Sequence, residues 1–122
     1  MLLLQPMDPS FPIGQQLTLA AAPVVLVNIF RLAPEDEECF LAIWKDDAAF
    51  MMAQPGFIST QLHRALGPNP TYLNYAVWET NADFRSAFSH PEFQNKLVAY
   101  PSSAVAMPHL FQKVTVNGIC VA

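Results

Sequence analysis

Apolar positions along this chain change period several times, and each change marks an element. Val24 to Leu32, VVLVNIFRL, is almost continuously apolar and β-branched between Pro23 and Pro34. That is the pattern of a strand covered on both faces. From Pro34 the period lengthens: Phe40, Ile43, Trp44, Asp47, Phe50, Met51 and Gln54 recur at three- and four-residue steps. This predicts an amphipathic helix, opened by Pro34 and the acidic run Glu35 to Glu38, and ended by Pro55 and Gly56. A period of two returns over Phe57 to Arg64 and Tyr72 to Glu79, separated by Gly67-Pro68-Asn69-Pro70, which predicts a β-hairpin. In its second arm Tyr72, Asn74, Ala76 and Trp78 share one face, while Leu73, Tyr75, Val77 and Glu79 share the other.

After the hairpin, Thr80 with Asp83 and Ser89 with Glu92 form two capping-box patterns, each opening a short helix. Phe84, Phe88, Phe93, Leu97 and Tyr100 supply their apolar sides, and His109 to Val116 alternates as a last strand. Before all of this, Pro6, Pro9 and Pro12 predict an extended arm over residues 1–22, expected to lie along the body or across a partner subunit, with a mobile tail as the alternative. Residues 23–116 are then the α+β domain and 117–122 an apolar tail. The order β, α, β, β, α, β closes most simply as a ferredoxin-like split βαβ, a four-stranded antiparallel sheet with both helices on one face.

At 122 residues the chain makes one domain. Its 52% apolar and 13% charged composition exceeds what a small monomer needs, so a second copy is expected to cover the bare sheet face. A net charge of −4 without a basic run argues against nucleic acid as a partner. Cys39 and Cys120 form neither a bridge framework nor a CxxC pair, which suits a reducing, cytoplasmic setting. Leu2 to Leu4 is too short for a signal core, and Pro23 interrupts the apolar Leu17 to Val27, so no membrane span is expected.

No Gly-rich phosphate loop, GxSxG elbow, HExxH helix or CxxC pair occurs. His63, His90 and His109 lie on separate elements without ligand spacing, so no metal site is expected. Asn28 interrupts an apolar strand, and either pairs with nearby backbone or faces a pocket. Asp47 interrupts the apolar helix stripe and must find a partner or protonate. His63 ends the first hairpin arm, either as a surface imidazole or as a proton acceptor at a pocket mouth. The residues thus suggest a polar set, Asn28, His63, Asn74 and Trp78, in a helix-covered apolar cavity, without naming a reaction.

The runs VVLVNIF, QPGFISTQLHR and NYAVWE, followed by FRSAF and HPEF, resemble the antibiotic biosynthesis monooxygenase family over about Val24 to Val116. The resemblance implies a dimer in which two sheets form an α+β barrel. It also implies a cofactor-independent monooxygenase acting on an aromatic or polyketide-like phenol or quinol with molecular oxygen. The histidine, asparagine and tryptophan of its quinone-forming members match His63, Asn74 and Trp78, the expected catalytic set. Asn28, Asp47, Phe84, Phe88 and Gln94 are the expected substrate contacts. Phe84 and Gln94 stand where those members carry a tyrosine and an arginine, and Lys96 stands where haem-degrading relatives carry their ligating histidine. A non-catalytic ligand-binding dimer, or a lyase or isomerase using the same cavity, are the alternatives.

Overall fold

In the computed structural model, which describes all 122 residues, the sheet is built on Val24–Arg31 (β2). This strand pairs antiparallel with Thr71–Trp78 (β4) on one side and Val105–Phe111 (β5) on the other. Flanked by a strand on each side and covered by helices on one face, β2 has little contact with water, which accounts for an apolar run from Val24 to Phe30 broken only by Asn28. Phe57–Arg64 (β3) completes the hairpin with β4. Leu3–Leu4 (β1) lies parallel to β5, so the order is β1-β5-β2-β4-β3.

The four strands β5-β2-β4-β3 follow the ferredoxin-like order, but the expected sheet and barrel are corrected in two respects. The sheet is five-stranded and mixed, not four-stranded and antiparallel. It is also open: β1 and β3 are its edges, and β3 pairs with β4 alone, whereas a barrel needs a continuous ladder. The fifth strand forms because the arm's prolines begin only at Pro6, leaving earlier amides free to donate. Leu3 N–H donates to Ala104 O at 3.2 Å and Gln5 N–H to Ala106 O at 2.8 Å. Nor is the arm wholly extended, since Ile13–Gln16 is a short helix (α1).

The last strand begins earlier than the alternation suggests, at Val105, and runs through Pro108. Ala104 and Ala106 turn their backbone groups toward β1, and alternate residues face the same way, so Pro108 lacks an N–H only on the side where β1 has already ended. Two residues on, Leu110 N–H finds the side chain of Gln16 at 2.8 Å. Buried Gln16 also donates from Nε2 to Phe11 O at 2.7 Å, so α1 covers an edge that would otherwise stand open. The strand ends at Phe111, opposite Val25, one residue short of the start of β2.

A 3-10 turn over Pro34–Asp36 leads into Glu37–Met52 (α2). Fully buried Phe40 packs its ring against Phe30 at 5.1 Å, Tyr72 at 5.2 Å and Tyr100 at 5.8 Å. Truncating such a ring to alanine costs about 3–5 kcal/mol. The helix start is tied to the hairpin by Glu37, which accepts from Arg64 Nε at 2.5 Å and from the Tyr72 hydroxyl. Arg64 first, and Tyr72 second, hold the Glu37 carboxyl below the usual carboxylate range.

Asn81–Phe88 (α3) opens at Thr80, whose hydroxyl oxygen accepts from Asp83 N–H at 3.0 Å. The helix Pro91–Lys96 (α4) is capped by His90 and not by Ser89, with Nδ1 accepting from Glu92 N–H at 3.0 Å. Pro91 explains the shift, because it favours the first helical position and so leaves the residue before it as the cap. No helix is long and apolar enough to cross a membrane.

α2 and α3 cover one sheet face, over two buried clusters. One gathers Phe30, Phe40, Tyr72 and Tyr100; the other gathers Leu26, Ala76, Trp78 and Phe84. Met51 and Phe88 touch both.

Candidate active site

Between the two clusters the helix-facing side of the sheet turns polar. Along β2 the inward positions read Val24, Leu26, Asn28, Phe30, and along β4 Tyr72, Asn74, Ala76, Trp78. Asn28 and Asn74 stand directly opposite each other in the ladder, with Pro108 beside Asn28 on β5 and Leu62 beside Asn74 on β3. A pair of amides therefore interrupts an apolar face at one level. A cavity of about 70 Å³ opens there, with Asn28, Asn74, Thr60 and Trp78 in its floor and Asp47 in its roof.

The Asn74 Oδ1 accepts from Thr60 Oγ1 at 2.5 Å, which fixes the amide so that its Nδ2 points elsewhere as a donor. Asn28 Oδ1 is buried with no partner. An amide oxygen left so is destabilising by roughly 1–3 kcal/mol, so the floor holds unused polar capacity. The walls are aromatic, edge to face around Trp78 and tilted beyond it. Trp78 meets Phe57 at 5.4 Å and Phe84 at 5.7 Å, and the series continues through Phe88 at 5.6 Å from Phe84 and Phe93 at 5.5 Å from Phe88. Such walls suit a flat apolar ring carrying a few oxygens.

The roof carboxylate Asp47 is 8% exposed. Its Oδ2 accepts from the Tyr100 hydroxyl at 2.8 Å, while its Oδ1 is buried without a partner. Burial, the dominant cause, pushes the Asp47 carboxyl up from 3.8 to about 6; the Tyr100 hydrogen bond and the charge of Lys96 pull the other way, and Asp46 adds to the rise. Lys96 itself is held by Asp46 at 2.8 Å, so Asp47 has no ion pair.

The structure brings six of the eight expected site residues to the cavity: Asn28, Asp47, Asn74, Trp78, Phe84 and Phe88. His63 and Gln94 are not among the lining. His63 lies opposite Leu73, one residue out of phase with Leu62 and Asn74, so its exposed imidazole belongs to the far sheet face. Gln94 is exposed and donates to Phe88 O at 2.5 Å. Sequence reasoning missed Thr60, whose position two residues before Leu62 places it on the inward face. It also missed Leu4 in β1 and Leu2 just before it, which reach the cavity from the sheet edge.

With this geometry in view, comparison with known proteins is specific. The description antibiotic biosynthesis monooxygenase matches residues 23–96. The deoxynogalonate monooxygenase of Streptomyces nogalater is 36% identical over 73 residues, which are 60% of this chain and 61% of that protein. The alignment thus spans less than two thirds of that relative. The tetracenomycin-F1 monooxygenase of Streptomyces glaucescens is 31% identical over 83 residues, 63% of this chain and 70% of that protein. Among solved structures, SnoaB of Streptomyces nogalater, described as a cofactor-independent oxygenase, superposes with a TM-score of 0.68 at 30% identity, covering 80% of this chain and 99% of that one. A putative monooxygenase from Shewanella loihica gives 0.67 at 29% identity, with coverages of 80% and 99%. The matched residues span β2 to the end of α4 and so contain the amide floor, Trp78 and the Asp47 roof: this chain belongs to the antibiotic biosynthesis monooxygenase family.

Proposed function

We propose that the chain is a cofactor-independent monooxygenase acting on an aromatic or polyketide-like phenol or quinol. The observation that carries this reading is the amide pair Asn28 and Asn74 beside Trp78, in an otherwise aromatic cavity. Asn74 Nδ2 and the Trp78 indole N–H donate to the oxygens of the bound ring, and Asn28 orients substrate or oxygen. Donors aimed at an oxygen gaining negative charge stabilise the ionised substrate, with effects of about 10²–10³ in rate for a single donor. The electron-rich ring then reduces oxygen itself. At an activated ring CH2 group, one oxygen atom becomes a carbonyl, the other leaves as water, and the substrate supplies all four electrons. Support comes from the relatives, which are named as monooxygenases, and from SnoaB, which is described as working without a cofactor.

The cavity as it stands is smaller than the roughly 150 Å³ of an engineered cavity that admits benzene, so entry of a ring requires the wall to move. Leu4, in the two-residue β1, and Leu2 just before it, whose N–H donates to Leu97 O, form the part of the wall that lies at the sheet edge, where movement disturbs the fewest ladder bonds. The small volume also favours a second reading, ligand binding without turnover. We further propose that the chain acts as a homodimer, the motive being apolar residues such as Tyr75 and Phe111 left exposed on the outer sheet face. A reducing, cytoplasmic location is part of the same proposal, supported by the free cysteines Cys39 and Cys120.

Oxygen uptake with a panel of hydroquinones and anthrones tests the enzyme reading. Turnover is expected in the wild-type protein, falling about 100-fold in Asn74→Ala and Trp78→Phe. Undiminished rates in both variants would overturn the role given to the floor. Stoichiometric binding with no oxygen consumption would establish the second reading.

A further inference from the structure

A phenol must lose a proton before it can give electrons to oxygen readily, and the amide floor supplies donors but no base. His63, the residue that sequence reasoning offers for this step, lies on the other face of the sheet. Asp47 is the one ionisable side chain in the cavity wall. It sits in the roof, across the cavity from Asn28 and Asn74, on the inward side of α2. The buried Tyr100 hydroxyl needs an acceptor there, but a neutral amide would serve it as well as a carboxylate. Asp47 has no ion pair, and its single hydrogen bond leaves Oδ1 buried and unsatisfied.

We propose that Asp47 is the proton acceptor of the reaction. Its carboxylate takes the hydroxyl proton of a phenol whose oxygens are held by Asn74 and Trp78, leaving a phenolate and a neutral carboxylic acid. Tyr100, donating to Oδ2, holds the carboxyl so that Oδ1 receives the proton. The ring carbon then bonds to molecular oxygen; when the bond between the two oxygen atoms breaks, the proton on Asp47 goes to the departing oxygen, one hydrogen of the CH2 group completes the water and the other re-protonates the phenolate, leaving a carbonyl, a phenol and the free carboxylate. The inference rests on the oxygenase reading and adds to it the group that starts the chemistry.

The surroundings of Asp47 fit the task. Burial raises its carboxyl to about 6, so it is ionised near neutral pH yet a stronger base than an exposed aspartate. Three other titratable or charged groups act on it. Tyr100 keeps its proton, its own ionisation pushed far up by burial and by Asp47; Lys96 is engaged by Asp46; and Asp46 extends toward solvent. None of these competes as a base inside the cavity.

The test is the pH dependence of oxygen uptake by wild-type, Asp47→Asn and Tyr100→Phe proteins, with urea unfolding as the check on folding. Wild-type kcat/KM should rise through an acidic limb near pH 6. Asp47→Asn, close in size and able to accept from Tyr100, should fold at least as well and lose about 100-fold or more in kcat, together with the limb. Tyr100→Phe removes a bond that favours the ionised carboxylate, so its limb should move to higher pH, a displacement that a purely structural tyrosine would not cause. An Asp47→Asn protein within a few-fold of wild type, with the limb intact, would overturn the proposal and leave the oxygenase reading standing. A wild-type protein that consumes no oxygen with any member of the panel would overturn both.

Discussion

Asn28 and Asn74 face each other in register across β2 and β4, and this one pair of amides divides the apolar core into two clusters. Either residue replaced by leucine would let Phe30 and Leu26 on one strand, and Tyr72 and Ala76 on the other, belong to a continuous core. The protein therefore keeps a polar layer where packing alone favours an apolar one, a common signature of sites that trade stability for chemistry.

The first expectation follows from that trade. Asn28→Leu removes a buried oxygen that has no partner, so it should raise stability by about 1–2 kcal/mol, or about 3–8 °C in thermal midpoint. Oxygen uptake should fall sharply in the same protein. Calorimetry and an oxygen electrode applied to one preparation check both halves together.

Asp47 gives an expectation for stability against pH. Its carboxyl titrates at 3.8 when unfolded and at about 6 when folded, so the native state holds the proton more tightly. The stability this contributes is complete below the unfolded value and is lost as pH rises through the folded one, about 3 kcal/mol across the interval. Glu37 acts in the opposite sense, because its carboxyl is lowered by Arg64 and Tyr72, and its contribution fades as pH falls. The Asp47 effect is isolated by comparing urea midpoints of the wild type with Asp47→Asn from about pH 4 to 7.5. The difference should grow with pH in favour of the variant.

His63 should matter little. It is exposed and points away from the cavity, so His63→Ala should change stability by no more than about 0.5 kcal/mol and leave kcat/KM unchanged. A large loss of turnover in this variant would show that the outer sheet face takes part in the chemistry.

The two-residue β1 should open more readily than the rest of the sheet. The amides of Leu3 and Gln5, bonded to Ala104 and Ala106, should exchange with solvent far faster than those of β2. Leu2→Ala should speed them further and raise the association rate of an aromatic ligand, as read by quenching of tryptophan fluorescence.

Much of this was legible in the chain. The period-two hairpin put Asn74 and Trp78 on one face, and the three- and four-residue steps of α2 put Asp47 on its inward stripe, because side-chain direction follows directly from the local period. His63 shows where that logic needs more. Its residue type and place near a strand end suggested chemistry, but its face depends on the register with Leu73, a long-range property. Likewise β1 could not be read from Leu2 to Gln5, since nothing local says that the open edge of β5 lies within reach. The barrel expectation came from resemblance, and the open edges of this sheet correct it.

The division of the cavity wall between segments has a consequence for how this protein can change its diet. The floor and roof, Asn28, Asn74, Trp78 and Asp47, all fall within residues 23–96, while Leu2, Leu4, Leu97 and Pro108 at the same cavity fall outside that span. The reactive groups and most of the aromatic wall are thus carried by one stretch of sequence, while Leu2 and Leu4 come from a separate one. Changing Leu2 and Leu4 would reshape one side of the cavity without touching the β2–β4 ladder that pairs the amides, so that part of the fit to a ring can be altered independently of the treatment of its oxygens.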